Sequence, residues 1–358
     1  MKIAVYTISK NEEKHAEKFM QHCRDADLVV IGDTGSTDDT TTIIQDNGGH
    51  VVNVTVSPWR FDTARNTVLS LLPSDIDICL ALDLDEFIMP GWRDKIEAGF
   101  DPEKHTRVKF CYIHNFNPDG TYRHVAVKDF FHCRHDYLWQ HRVHELLYYY
   151  GKQETIVTLP DITVEHRQDM DKSRKQYLQL LEVEAKDKNT TPRHIFWLGR
   201  EYTIHSRWAE AVQPLMQFVD MPDTWNVEVS HAYRYLAKAL SHLNLPNKAL
   251  VAHLDSVRIA SDQREPWVDL SWYHYFRKEW AQAYVAAKHA LTITQKQEHY
   301  LISAEAWGYK IYELAATCAM RLNLQQEAIQ LIKRAIAICP DNPHLMKTAD
   351  WIGATWDE

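Results

Sequence analysis

The stretch Ile76-Asp77-Ile78-Cys79-Leu80-Ala81-Leu82-Asp83-Leu84-Asp85-Glu86 decides how this chain is read. A short, nearly continuous apolar run is the pattern of a strand buried on both faces of a parallel sheet. It ends in three carboxylates within four residues. In open α/β sheets, ligands bind beyond the carboxyl ends of the strands. An extended continuation puts Asp83 and Asp85 on one side and Leu84 on the other. Carboxylates so placed repel each other unless a cation or water separates them. The pattern points to a metal site that takes a nucleotide diphosphate. An isolated Asp-x-Asp is more often a solvated acidic turn; the buried run and the segments upstream of it reverse that reading.

Those segments alternate strand and helix, as a parallel sheet requires. Ile3 to Ile8 reads as a strand, and Ser9-Lys10-Asn11-Glu12-Glu13 leads into a helix to about Cys23, with Ser9 as N-cap and Glu12 as its capping-box partner. Leu28 to Ile31 is a second strand, ending in Gly32-Asp33-Thr34-Gly35-Ser36-Thr37-Asp38-Asp39-Thr40. That small, polar loop opens a helix through Ile43 and Ile44. Its glycines permit close backbone approach to a ligand, and Asp33 is placed to accept from a base or ribose; a plain turn capped by Asp38 is the competing account. His50 to Val56 gives a third strand. A helix then runs from about Trp59 to Leu72, with Asp62 or Thr63 as cap and Arg65 placed to reach a phosphate.

Beyond Pro90-Gly91 the pattern changes. Val108 to Ile113 and Tyr122 to Val127 read as strands around the turn signal Asn115-Phe116-Asn117-Pro118-Asp119-Gly120. Residues 104–145 hold seven of the 20 histidines, seven Lys or Arg, and interleaved aromatics that include Trp139. A partly buried mixed sheet with polar rims is the plain account, and an acceptor groove the sharper one. Val143-His144-Glu145 and Val164-Glu165-His166 also stand out there.

From Met170 onward the chain reads as helical, with an entry helix near Ser173 to Lys186 and then a loose repeat. Its members are Trp197-Leu198-Gly199-x-x-Tyr202 with Ala209 and Ala211, Tyr235-Leu236-Ala237 with Ala249, Trp272-x-x-Tyr275 with Ala283, and Trp307-Gly308 with Ala328. The second-helix alanines 211, 249, 283 and 328 are spaced by 38, 34 and 45 residues, which brackets a tetratricopeptide hairpin with insertions. The aromatics are expected mostly in the core, and the helix after Pro340-Asp341-Asn342-Pro343 caps the array. The expected division is 1–170 and 171–358, and 358 residues suffice for two cores. A net charge of −9 argues against nonspecific nucleic-acid binding by the whole surface. The six cysteines form no C-x-x-C pair, and no run suffices to span a bilayer, so reduced thiols and a cytoplasmic location are expected.

Four segments together resemble the family 2 glycosyltransferases of GT-A fold with a tetratricopeptide-like tail. They are T-I-S-K-N-E-E (Thr7 to Glu13), D-T-G-S-T-D-D-T (Asp33 to Thr40), W-R-F-D-T-A-R-N (Trp59 to Asn66) and L-D-L-D-E (Leu82 to Glu86). The resemblance implies an α/β domain with a Rossmann-like, mostly parallel sheet, followed by all-α helical repeats. It implies that Thr7, Asn11, Glu12 and Asp33 bind the donor nucleoside, with Arg65 near the donor and Asp83 near the ribose. Asp85 and His166 would ligate a divalent ion, Mn²⁺ favoured by the histidine and Mg²⁺ the alternative. Glu145 would be the catalytic base, and His144 and Trp139 would face the acceptor. The implied reaction moves a sugar, with inversion, from a nucleotide diphosphate sugar (UDP favoured) to a hydroxyl of a glycan, a protein or a hydroxylated nucleobase in modified DNA. A partner on the helical repeats is also expected. A nucleotidyltransferase on a similar sheet and a non-catalytic interaction protein are the competing classes.

Overall fold

The computed structural model describes residues 1–116, 122–167, 175–188, 190–297 and 299–354. The chain divides into two compact units, Met1–Glu184 and Ala185–Glu358.

The first unit opens with β1 (Ile3–Ser9), α1 (Glu13–Cys23), β2 (Leu28–Asp33), α2 (Thr40–Asp46), β3 (His50–Asn53), α3 (Phe61–Leu71) and β4 (Ile78–Ala81). These four strands lie parallel in the order β3-β2-β1-β4. Ile3 and Val5 of β1 pack with Phe19, Ile78, Leu80 and Trp92 on one face. Ala4 and Tyr6 pack with Val68, Cys79 and Ala81 on the other. Two buried faces explain why these strands read as apolar runs rather than alternations.

β5 (Glu86–Ile88), α4 (Trp92–Gly99), β6 (Arg107–Phe116), β7 (Tyr122–Cys133) and β10 (Ile156–His166) complete an eight-stranded sheet in the order β3-β2-β1-β4-β7-β6-β10-β5. The β4–β7, β6–β7 and β5–β10 pairs are antiparallel, so the sheet is mixed beyond its first four strands. The cause is local: β7 follows β6 with no crossover helix, and such neighbours must run antiparallel. Residues 117–120 of the expected turn lie outside the described residues, but Phe116 pairs with Tyr122 on either side of it. β8 (Tyr137–Gln140) and β9 (Leu146–Tyr149) form a separate ribbon, and α5 (Lys175–Glu184) ends the unit. Ser173 and Arg174 of the expected entry helix lie outside the described residues.

Two expected caps are not formed. Ser9 stays in β1, because Asn11 takes a left-handed φ of 54° and turns the chain before α1 begins. α3 is preceded by Arg60, and Asp62 sits inside the first turn, where Arg60 donates to it at 2.6 and 2.9 Å.

The second unit is all helix among the described residues. α6 (Pro192–Ile204) pairs with α7 (Trp208–Val219), α8 (Asn226–His242) with α9 (Pro246–Ile259), and α10 (Arg264–Phe276) with α11 (Trp280–Thr292). α12 (Ala304–Trp307) is a single turn before α13 (Lys310–Arg321), α14 (Gln325–Ile338) and the capping helix α15 (Pro343–Ile352). Ala211, Ala249, Ala283 and Ala328 are all fully buried, each early in the second helix of its pair. At Gly199 an added Cβ would meet Leu215 at 2.6 Å, so the first pair packs at glycine distance. Each hairpin turns on a residue of positive φ: Ser206, Asn244, Lys278 and Asn323. After each, the next N–H closes the same bond five residues back, Arg207 to Tyr202, Leu245 to Leu240, Glu279 to His274 and Leu324 to Ala319, at 2.8–3.0 Å.

The fourth hairpin begins with α13, not with Trp307-Gly308 as expected; α12 and the segment before it are the insertion that stretches the last spacing to 45 residues. The repeat aromatics also differ from expectation. Trp197 is buried, but Tyr202, Tyr235, Trp272, Tyr275 and Trp307 are half-buried. Trp197, Tyr235 and Trp272 line a groove of about 1040 Å³ together with Arg200, Arg234 and Lys238. No helix among the described residues is long and apolar enough to cross a membrane.

Candidate functional site

β4 stops at Ala81, so Asp83-Leu84-Asp85 is a turn into β5 rather than the expected extension of the strand. Leu84 is buried and pins the turn to the core. Glu86, which sequence reasoning left without a role, organises it. One carboxylate oxygen of Glu86 accepts from the Asp83 N–H at 3.1 Å and the other from the Tyr112 hydroxyl at 2.6 Å. Burial pushes the Glu86 carboxyl up, and the neighbouring Asp83 charge adds to the effect. The Arg167 N–H donates to the Asp85 carbonyl at 2.8 Å, tying the turn to the end of β10.

That tie brings the two expected metal ligands together. His166 Nε2, at the end of β10, lies 3.3 Å from Asp85 Oδ2. Burial lowers the His166 pKa, but the hydrogen bond and charge of Asp85 outweigh it, so the net direction is up. One carboxylate oxygen and one imidazole nitrogen suit Mn²⁺. Two ligand atoms each about 2.1 Å from an ion, at right angles, sit about 3 Å apart, so the observed separation fits a shared ion.

Arg65 of α3 is buried and bridges two acids. Its Nη2 donates to Asp83 at 2.8 Å and its Nε to Glu145 at 2.6 Å. Burial alone would raise the Asp83 carboxyl, but the Arg65 charge and hydrogen bond hold it below the usual carboxylate value. Glu145 thus stands beside the residues expected on the donor side rather than apart from them. Its second oxygen makes no hydrogen bond among the described residues. Trp139, expected at the acceptor, is a core ring instead: it is 4% exposed, donates from Nε1 to Tyr6 at 2.8 Å, and carries the Arg65 guanidinium 5.1 Å from its ring centre. Its backbone is fixed by both ends of the Asn66 amide. Its size and apolarity made it core-forming, and it supports Arg65 from behind.

The expected nucleoside residues gather at the ends of β1 and β2. Thr7 is buried and its hydroxyl donates to Asp83 at 3.3 Å. Asp33 accepts from the Gly35 and Ser36 N–H groups at 3.1 Å, which shapes its own loop. Asn11 accepts from the Thr37 N–H at 2.7 Å, and the Glu12 N–H donates to Thr40 at 2.7 Å, so the two βα loops are stitched together. His144 adopts a φ of 52° and lies against Tyr177, ring centres 5.6 Å apart. Lys128 of β7 is a further cation here that no sequence motif announced. Its Nζ sits 4.6 Å from the Tyr112 ring centre.

The fold and site therefore define an α/β unit with a mixed eight-stranded sheet and an acid-lined edge, followed by an all-α array of tetratricopeptide-like hairpins. No family model matches the chain, and no curated protein matches it. Among solved structures it is similar to a thermophilic TPR protein of Thermus thermophilus, with 17% identity and TM-score 0.34 over 48% of this chain and 87% of that one. It is also similar to YrrB, a TPR protein with an unusual peptide-binding site, with 12% identity and TM-score 0.38 over 49% of this chain and 82% of that one. A third is pilF of Pseudomonas aeruginosa, with 14% identity and TM-score 0.39 over 48% of this chain and 72% of that one. The repeat assignment rests on the helix pairing and turn geometry, not on likenesses of this size.

Proposed function

We propose that the first unit is a GT-A glycosyltransferase of the family 2 type. It would move a sugar from a nucleotide diphosphate sugar, UDP favoured, to a hydroxyl acceptor by single inverting displacement. The observation that carries this reading is the convergence of Asp85 and His166 at the carboxyl edge of the sheet, beside the Asp83–Arg65–Glu145 bridge. Asp85 and His166 are the residues that would hold a divalent ion. When bound, such an ion supplies Lewis-acid neutralisation of the charge developing on a leaving diphosphate.

The chain's own residues supply the rest. Thr7, Asn11, Glu12 and Asp33 present the polar groups that would hold a nucleoside at the ends of β1 and β2. Arg65 fixes one oxygen of Glu145 and leaves the other to accept the proton of an acceptor hydroxyl, a role worth about 10²–10⁴-fold. His144, next in sequence, is the acceptor-side neighbour. A glycan, a protein hydroxyl and a hydroxylated nucleobase in DNA all suit such a base. Six free cysteines fit a reducing, cytoplasmic setting. The groove of the second unit supports a companion reading, that the helical repeats hold a partner, for which its aromatic and cationic lining is the evidence.

The test is a panel of nucleotide sugars with Mn²⁺, read as release of nucleoside diphosphate, followed by mass spectrometry of candidate acceptors. Release of nucleoside diphosphate supports the reading. Release of pyrophosphate would favour a nucleotidyltransferase, and no turnover with any donor would favour an interaction protein.

A further inference from the structure

Lys128 is a half-buried ammonium with no ion pair or hydrogen bond among the described residues. Its Nζ sits between two aromatic faces, 4.6 Å from the Tyr112 ring centre and 4.8 Å from that of Phe130. Ring quadrupoles partly offset the lost hydration of a cation, but a charge-assisted hydrogen bond offsets it far better. The setting therefore leaves this ammonium with donors to give.

Its position says where they would be given. β7 pairs antiparallel with β4, Leu80 opposite Phe131 and Ile78 opposite Cys133. β7 bulges between Phe131 and Lys128, which pair with Val108 and Phe110, so past the end of β4 Lys128 comes about level with Leu82, at the start of the acidic turn. The Tyr112 ring has Lys128 on it and the His166 ring 5.8 Å away, so one side chain touches both Lys128 and the imidazole that meets Asp85. The Lys128 charge also acts on both Asp83 and Glu86. In sheet order β7 lies two strands from β1, where the nucleoside residues gather. At the usual inter-strand spacing that is about 10 Å between backbones, which sets Lys128 on the far side of β4 from the nucleoside residues.

We propose that Lys128 is an anion-binding residue that takes the terminal phosphate of a nucleoside diphosphate, so that this site distinguishes diphosphates from monophosphates. The inference rests on the donor reading of the site and adds the basis of its selectivity. His166 comes from β10 on one side of the strand that carries Tyr112, and Lys128 from β7 on the other.

Equilibrium binding of UDP and of UMP, each with Mn²⁺, tests this on the full-length protein. Lys128→Met is expected to weaken UDP by about 10-fold or more, the size of one lost hydrogen bond to a charged group. It should change UMP by less than about twofold, while Lys128→Arg keeps UDP within about threefold because the charge remains. Unchanged UDP affinity in Lys128→Met, or a parallel fall of UDP and UMP, overturns the proposal. Should Lys128→Met fail to fold, Lys128→Gln carries the same comparison. If the wild-type protein binds none of UDP, GDP and dTDP with Mn²⁺, the donor reading itself falls and this inference with it. If it binds them and Lys128→Met binds them equally, only this inference falls.

Discussion

The edge of the sheet in Met1–Glu184 and the groove in Ala185–Glu358 are built by opposite means. At the sheet edge, acids outnumber cations, and four acids share three holders: Arg65 for Asp83 and Glu145, Tyr112 for Glu86, His166 for Asp85. Nothing there repeats. The groove arises instead from repetition, its cations Arg200, Arg234 and Lys238 set among aromatic rings on successive hairpins. The contrast teaches that this sheet edge depends on a few irreplaceable bonds, whereas a repeat surface spreads its stability over equivalent turns.

If that contrast is right, the largest effect should come from breaking the bridge at the sheet edge. Arg65→Met leaves the half-buried Glu145 and Asp83 carboxylates without their shared, buried cation. Breaking such a pair is expected to cost about 3 kcal/mol, measurable by urea denaturation. A loss near zero would mean that the bridge is dispensable and the contrast false.

A smaller change at the same edge sharpens the division of labour. Glu145→Gln keeps the shape and the contact with Arg65 but cannot accept a proton. The transfer rate should fall at least about 10²-fold with little change in donor affinity. A near wild-type rate would assign the base elsewhere, and lost nucleotide binding would place Glu145 wholly on the donor side.

The smallest effect compares the two units directly. Burial pushes His132 of the sheet down to about 3 and His253 of the helical array down to about 4, so both stay neutral in the folded chain. The unfolded chain takes up those protons below about pH 6.5, so stability is full above that value. It should then fall by up to about 1.4 kcal/mol per pH unit for each group between pH 6 and pH 5. His132→Gln and His253→Gln should each flatten the slope of stability against pH, the first in the sheet unit and the second in the helical one. An unchanged slope in either variant would mean that the ring is not held neutral.

Much of the sheet was legible because its strands are buried on both faces, which writes continuous apolar runs such as Ile78 to Ala81. The alanine spacing was legible for the same reason, since close helix pairing admits only small side chains at 211, 249, 283 and 328. What escaped depends on long-range contact. Nothing local marks Glu86 as the residue that bonds the Asp83 N–H, or Trp139 as the ring behind Arg65, because their partners lie far away in sequence. The positive-φ turns were also hidden. Asn244 and Asn323 are ordinary choices for that conformation, but Ser206 and Lys278 adopt it only because the hairpin demands it. Lys128 escaped because a lone lysine in a strand carries no pattern.

The central claim, that Asp85 and His166 share one divalent ion at the sheet edge, is tested most directly by electron paramagnetic resonance of Mn²⁺ with UDP. Wild-type protein is expected to bind one ion per chain and to give a nitrogen coupling from an imidazole ligand. His166→Gln should lose that coupling, and Asp85→Ala should lose the bound ion. A Mn²⁺ signal unchanged by both substitutions would contradict the account.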